Sequence, residues 1–436
     1  MQDTDPREIL AHNPMKPMQI VAVAVCILLN ALDGFDVLAI SFAAPGISSD
    51  WNVDRAALGI ILSMELVGMS LGAILLGMVA DRIGRRPVLL GCLVVMAAGM
   101  ALASRATGIS DLLVYRFFTG LGIGGLLAAI NAMSAEVASA RAKNLCVALM
   151  AAGYPAGAVI GGSIASSMLV DGSWRDIFIF GAIVTAAVIP LMWFLLPESV
   201  GYLAERQPRN ALERINRTMR RFGHAEVAAL PPVETGRPRL PLAQLLGGQF
   251  RMTTILLTLI YFAHIMTFYF LVKWIPKIVT DMGYEPSAAG GVLVWTNVGG
   301  LIGGLVFSVL TWRFQIKGLL FAVLIGSALF VVLFGQGSRD LAQLSLMTAA
   351  AGFFITGGVI GIYAAIAAAY PASVRAGGTG FVIGLGRGGA VVGPIAAGFL
   401  LSMGFGLPVV ALVMAAGSFI AALALLFLRP ATAQPG

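Results

Sequence analysis

Two aspartates stand three residues apart in an otherwise apolar run, Asp33 and Asp36 in LNALDGFDVLAISFAAPGI. That spacing puts both carboxylates on one face of a helix. Comparable apolar runs hold a third acid, Glu65, and three cations, Arg116, Lys273 and Arg387. Ionised groups in such runs are expensive in hydrocarbon and face a partner or a pathway. The plain alternative is a set of carboxylates neutralised by arginine. With a helical rise of ~1.5 Å per residue, Asp33 and Arg387 fall near the middle of their runs, while Asp36 and Arg116 share a depth nearer one end. This predicts an Asp36–Arg116 pair. Lys273 lies toward one end of its run, where snorkelling to the interface is the first reading and contact with a bound molecule the second.

The elements that position these groups are long apolar helices. Of 436 residues, 58% are hydrophobic and 11% charged, against about 25% charged in a soluble protein. A span needs roughly 20 apolar residues. Runs of that size lie near 19–44, 54–80, 87–105, 110–135, 143–168, 176–196, 251–280, 287–311, 316–335, 341–370, 375–402 and 405–428. The expected fold is all-α and polytopic, with twelve transmembrane helices. The expected domains are a six-helix bundle over 1–196, a basic linker over 197–250, and a second six-helix bundle over 251–436.

The net charge of +7 sits in short loops between apolar runs, a distribution that points to membrane orientation rather than nucleic acid. With the N-terminus cytoplasmic, roughly 20 Lys and Arg fall inside and about 5 outside, or about 11 against 5 without the long central segment. Both termini are therefore expected in the cytoplasm. The segment Met1–Met18 is polar and acidic and lacks signal-peptide order, so the first helix is expected to remain in the mature protein. The central segment carries Arg206, Arg209, Arg214, Arg217, Arg220 and Arg221, then Pro231, Pro232, Pro238 and Pro241. It reads as a short basic surface helix followed by a flexible linker; contact with lipid headgroups is the second reading. Cys26, Cys92 and Cys146 lie in or beside apolar runs and form no metal-type pair. Neither a metal nor a disulfide framework is expected.

The two halves resemble each other. EVASARAKN (136–144) follows the fourth run and YPASVRAGG (370–378) the tenth, while GYPAGAVIGG (153–162) matches GRGGAVVGP (386–394) with a one-residue gap. Internal duplication of this kind is common in transporters, whose substrate site lies between the halves.

Three motifs add specificity. The loop after the second run reads GMVADRIGRR: Gly77, Asp81, Arg82, Gly84, Arg85 and Arg86. Gly77 is expected to let helices approach, Asp81 to pair with an arginine or cap a helix start, and Gly84 to make the turn. This loop resembles that of the major facilitator superfamily, as do RFFTGLGIGG (116–125) and PESVGYL (197–203). The fifth run departs from the superfamily's antiporter pattern, with Gly157-Ala158 in place of Gly-Pro. Within the superfamily, Asp-Gly-Phe-Asp at 33–36 and VRAGGTGFVIGLGRGGAVVGP at 374–394 resemble the aromatic acid:H⁺ symporter family.

The resemblance implies a monomer in the bacterial inner membrane that takes up a small aromatic carboxylate (benzoate, hydroxybenzoate or a related lignin-derived acid). Protons are the coupling ion and membrane lipids the surroundings, with no cofactor beyond the proton gradient. Arg387 then becomes the partner for the substrate carboxylate, since its fork matches that group in a bidentate way. Proton coupling needs a carboxylate whose proton affinity changes with state. Asp33 is the first candidate because Asp36 has an expected arginine, and Glu65 is either a local pair or a second proton site. Candidate walls for the ring are Tyr154, Tyr261, Phe268, Tyr269, Trp274, Trp295 and Tyr363, each of which could equally be packing. Asn131, Asn297 and His264 could hydrogen-bond helices or substrate; His12 and His224 lie in polar segments.

Other classes are less well served. HExxH and the GxxxxGK[ST] phosphate-cradling loop are absent from the sequence, which speaks against a zinc-dependent membrane enzyme and against direct ATP drive. The central segment leaves little room for a sensor's output domain. Another organic anion, such as a sugar acid, and efflux remain as alternative transport roles.

Overall fold

A computed structural model describes residues 5–232, 247, 250–337 and 340–428. Among them every regular element is a helix. A short α1 (Pro6–His12) precedes the first six long helices: α2 (Pro17–Asp50), α3 (Arg55–Ile83), α4 (Arg85–Ala103), α5 (Ile109–Val137), α6 (Lys143–Met168) and α7 (Trp174–Leu195). Two short helices follow, α8 (Val200–Arg206) and α9 (Ala211–Phe222). The second half comprises α10 (Arg251–Asp281), α11 (Pro286–Leu310), α12 (Ile316–Gly335), α13 (Leu341–Ala369), α14 (Ala372–Gly386), α15 (Gly388–Ser402) and α16 (Leu407–Phe427). Twelve stretches are long and apolar enough to cross a membrane, with α14 and α15 jointly supplying the eleventh over Gly377–Ser402.

These helices follow the apolar runs closely because, without water, the backbone must satisfy its own polar groups. Two differences stand out. The first helix continues through Pro45 to Asp50, beyond the apolar run, because polar residues at the end of a span can stay helical in the interface. The eleventh span is interrupted at Arg387, which lies between two glycines. Gly386 and Gly389 press on α10: a Cβ would come within 2.3 Å of Tyr261 Cδ1 and 2.1 Å of the Phe262 carbonyl oxygen respectively.

By contacts the chain forms two compact units. One comprises Met1–Val37, Val67–Ala158 and Arg175–Arg237; the other comprises Leu38–Leu66, Val159–Trp174 and Pro238–Gly436. The helices α2, α3 and α6 each contribute to both.

In the first unit, α2 and α6 meet backbone to backbone. A Cβ on Gly34 would stand 2.0 Å from the Tyr154 carbonyl oxygen, and one on Gly157 only 1.8 Å from that of Ala31. Small residues allow this approach, which replaces hydrophobic drive in lipid. The second unit repeats the arrangement at Gly299 and Gly352, where α11 meets α13. It also stitches the N-terminal half of α3 to α10 and to α15, with Ser63 Oγ donating to the Val391 carbonyl at 2.9 Å and Arg55 3.3 Å from Asp281.

The expected basic surface helix is α9, which buries Ile215, Met219 and Phe222 and leaves Arg217, Arg220 and Arg221 exposed. A second short helix, α8, precedes it, joined through Gln207 and Asn210 at positive φ. Pro238 and Pro241, with most of the expected linker after α9, lie outside the described residues.

Gly157→Val is expected to sharply reduce the yield of monodisperse protein in fluorescence-detected gel filtration, since overpacking costs about 1–3 kcal/mol or more where backbone is the neighbour. Gly91→Ala, with nothing within 4 Å of the added carbon, is expected to leave that yield unchanged.

Candidate functional site

In the first unit every residue of the Asp33–Asp36 motif has a distinct place. Asp33 and Asp36 are fully buried. Gly34 is the close-approach residue against Tyr154. Phe35 meets Phe180 edge-on at 5.3 Å, and Asp36 lies beside Gly181 of α7, where a Cβ would stand 3.5 Å from its Oδ1. Just upstream, Asn30 ties α2 to α6 by donating to the Met150 carbonyl at 2.6 Å.

Arg116 reaches the same place from α5. It is fully buried and donates to the main-chain carbonyl of Asp36 at 3.1 Å. It also contacts Met100 Sδ at 3.0 Å and lies 5.4 Å from the Phe178 ring centre. The structure thus brings Arg116 to Asp36 with a backbone carbonyl as one of its acceptors, a detail that depth along the helices does not convey. Tyr154 is partly buried nearby on α6. Asn131 is exposed and spends its amide on the Leu127 carbonyl of its own helix at 2.7 Å.

In the second unit Arg387 is partly exposed at the interruption of the eleventh span. It donates to the Tyr261 hydroxyl, with Tyr363 and Tyr269 close enough to act on its charge. The Tyr261 and Tyr363 hydroxyls are 3.0 Å apart. Among the described residues no carboxylate lies within 4 Å of Arg387. Its polar surroundings are therefore neutral phenols, which orient a guanidinium without neutralising it. Phe268 packs against Tyr269 with ring centres 5.1 Å apart, and Trp295 is 54% exposed. Trp274, fully buried, donates to the Pro394 carbonyl at 3.1 Å, and Asn297 to the Leu293 carbonyl at 2.9 Å.

His264 is also buried, and both its ring nitrogens are engaged. Nε2 lies 2.9 Å from the Ile355 carbonyl, so it must carry the proton, and Nδ1 accepts from Ser418 Oγ at 2.9 Å. This neutral imidazole joins α10 to α13 and α16.

Glu65 and Lys273 form an ion pair at 3.4 Å with both side chains at 0% exposure. Lys273 therefore does not snorkel: a carboxylate from α3 holds its ammonium inside the second unit. Helix propensity and depth could not reveal this, because the partners are 208 residues apart.

The loop motif closes the turn from α3 to α4. Gly84 adopts φ +112°, and a Cβ there would also strike the Glu198 carboxylate at 2.3 Å. Glu198 Oε1 accepts from the amides of Arg85 and Arg86 at 3.0 and 3.2 Å and so caps the start of α4. Asp81 does not cap it; its carboxylate is 4.0 Å from Arg85, and its carbonyl accepts from Arg206. Arg85 pairs with Glu136 at 2.7 Å, and Glu136 accepts from the Ser199 hydroxyl. Arg82 is exposed, and its carbonyl accepts from the Tyr202 hydroxyl at 3.1 Å. Gly77 has only an ordinary contact, 3.6 Å to Ala128 Cβ; the close α3–α5 approach occurs instead at Gly68 and Gly72 against Phe117 and Leu121. Sequence reasoning missed Glu136 and Glu198, although both lie within the segments 136–144 and 197–203 that drew attention for other reasons. Their acids opposite a basic loop were the available signal.

Among the described residues no group of three or more His, Cys, Asp or Glu side chains is placed to hold a metal ion.

Comparison with known proteins shows the family. The chain is 30% identical over 430 residues to a gallate transporter of Pseudomonas putida, covering 97% of this chain and 94% of the relative. It is 29% identical to the 4-hydroxybenzoate transporter PcaK of Pseudomonas aeruginosa (92% and 90% covered). It is also 29% identical to a 3-(3-hydroxy-phenyl)propionate transporter of Escherichia coli (95% and 96% covered). In fold it is similar to the inward-open xylose transporter XylE from E. coli, with a TM-score of 0.71 at 17% identity, covering 94% of this chain and 96% of that one. The Major Facilitator Superfamily profile matches residues 26–338 and 257–436. With twelve spans, that fold and these relatives, the chain belongs to the Major Facilitator Superfamily and is a multi-pass membrane transporter rather than an enzyme.

Proposed function

We propose that this transporter carries a small aromatic carboxylate into the cell together with protons, by alternating access in a bacterial inner membrane, with both termini in the cytoplasm. The observation that carries this reading is Arg387: a cation within a span, with phenol hydroxyls around it and no carboxylate within 4 Å among the described residues. Such a group favours an anion, and its two parallel donors suit a carboxylate. The phenol rings of Tyr261, Tyr269 and Tyr363 supply apolar faces against which an aromatic acid can lie. The relatives named for gallate, 4-hydroxybenzoate and hydroxyphenylpropionate support the same substrate class. The charge asymmetry of the loops supports the orientation.

Asp33 takes the proton in this reading. It is buried in the first unit, one helical turn from Asp36, whose carbonyl accepts from Arg116. Asp36 is held with the arginine as a fixed polar centre, while the proton on Asp33 changes with the conformational cycle. Glu65 is the second proton site considered, since protonating it would dissolve its pair with Lys273.

Radiolabelled benzoate, 4-hydroxybenzoate and gallate offered to cells expressing the chain test the whole reading. Accumulation of at least one, abolished by a protonophore, is expected. Export from preloaded cells, or accumulation of a sugar acid instead, would replace it. Arg387→Ala is expected to weaken apparent affinity about 30-fold or more, from the ~2–5 kcal/mol lost with one partner of a buried charged contact. Tyr261→Phe, which removes only the orienting hydroxyl, should weaken it roughly tenfold.

Asp33→Asn should abolish uphill uptake and the rise in uptake at lower external pH, while leaving downhill counterflow of substrate. Retention of full pH-dependent accumulation by this variant would remove Asp33 from the proton path. For the Glu65–Lys273 pair, Lys273→Met alone is expected to lower the thermal midpoint more than Lys273→Met with Glu65→Gln, because breaking one side of a buried pair costs about 3–5 kcal/mol and replacing both sides far less. Equal losses would mean that the pair contributes through packing alone.

A further inference from the structure

At the end of α7 three arginines gather, two of them beside the Glu198 carboxylate. Arg86, at the start of α4, lies 4.9 Å over the Trp193 ring and donates to the Trp193 carbonyl at 2.6 Å. Its Nε is buried and has no hydrogen-bond partner among the described residues. Arg221, from the end of α9, donates to the next carbonyl, that of Phe194. Arg214, two turns earlier on α9, is 3.9 Å from Glu198. Arg214 and Arg221 are both near enough to Arg86 to act on its charge. The acid among them, Glu198, already accepts from three main-chain amides, those of Arg85, Arg86 and Ser199. Capping the last carbonyls of α7 accounts for one donor each on Arg86 and Arg221. It does not account for three like charges within reach of one another where Glu198 faces only two of them.

The position of this cluster indicates what answers the remaining charge. It lies where the sixth span ends, at Leu195. Beside it are large apolar side chains turned away from the protein: Trp193 is 53% exposed and Phe194 68%, with Leu191 and Ile83 also exposed. In a multi-pass membrane protein these side chains face acyl chains, and an aromatic at a span's end marks headgroup level. Guanidinium groups at that level meet lipid phosphates, and clustered arginines there recognise anionic headgroups. The helix carrying two of them is fixed rather than dangling. The segment just after it is anchored to α2 by His224 Nε2 and Gln19 Oε1 at 2.8 Å, and α9 itself is tied to the following segment by reciprocal bonds between Asn216 and Val227.

We infer that Arg86, Arg214 and Arg221, with Trp193 and Phe194 below them, form a binding site for the phosphate headgroup of an anionic phospholipid. The phosphate takes the free donors of the guanidinium groups, while one acyl chain runs over the two aromatic rings. The site is separate from Asp33, Arg387 and the proposed transport chemistry.

The test uses the full chain in neutral detergent, titrated with phosphatidylglycerol, phosphatidylcholine or inorganic phosphate, with thermal midpoint and native mass spectrometry as readouts. Phosphatidylglycerol should raise the midpoint and stay bound at about tenfold lower concentration than phosphatidylcholine, an advantage lost in R214Q/R221Q and kept in R217Q. Arg217 is the internal control because it is 72% exposed on the same helix and paired with Glu213. Equal effects of the two lipids, or an advantage that survives R214Q/R221Q, would overturn the site; an equal effect of inorganic phosphate would overturn its assignment to lipid.

A second measurement does not depend on the arginine variants folding. Phosphatidylglycerol with brominated acyl chains should quench tryptophan fluorescence more than brominated phosphatidylcholine does, and W193F should remove the excess. Excess quenching that persists in W193F would place the lipid elsewhere.

Discussion

A charge within hydrocarbon holds its position only where some other group answers it. Three cations within the spans, Arg116, Lys273 and Arg387, are answered in different ways, and much of the helix packing follows from them. Arg116 is met by a main-chain carbonyl, a sulfur and an aromatic face, which fixes α5 against α2 and α7. Lys273 is met by a full carboxylate, which fixes α3 against α10. Among the described residues the polar groups that meet Arg387 are phenols. The first two arrangements are closed, with opposite charge or dipole supplied by the protein. The third orients a cation while leaving its charge available, and for that reason it carries the functional reading.

The helices can bring these groups together because glycine removes the bulk that would hold them apart. Within Asp33-Gly34-Phe35-Asp36, the glycine lets α2 touch the backbone of α6 while the phenylalanine locks onto α7. The two acids are carried inward by the packing of the residues between them. At Arg387 the arrangement differs: Gly386 and Gly389 bring the interrupted helix onto Tyr261 and Phe262, so that the arginine's orienting hydroxyl and its close-packing contact come from the same tyrosine. A substitution at Gly386 would therefore disturb the guanidinium and the helix contact together.

The spans were legible because hydropathy is a local property, and their ends lie close to the apolar runs. The meeting of Asp36 with Arg116 was legible from equal depth. Lys273 was not: depth suggested an ammonium reaching for water, whereas its fate was decided by Glu65 on a helix far away in sequence. His264 had two open readings, and the choice needed Ser418 and Ile355 from two other helices. Asp81 had two open readings, an arginine pair or a helix cap, and only the first is met, at 4.0 Å from Arg85; the acid that caps α4, Glu198, comes from beyond α7. Each shortfall concerns which distant groups meet, information that the periodicity of a single helix does not contain.

That last feature bears on how the chain is made. Glu198 lies 113 residues after the Arg85 amide it accepts from. While α4, α5, α6 and α7 leave the ribosome and enter the bilayer, the amides at the start of α4 have only water to bond. The turn at Gly84 can take its final shape only after residue 198 has been synthesised. Closure of this turn thus marks the end of biogenesis for the first six spans, and a chain stalled before that residue would hold its helices with an unfinished loop, open to proteolysis where a completed chain is protected.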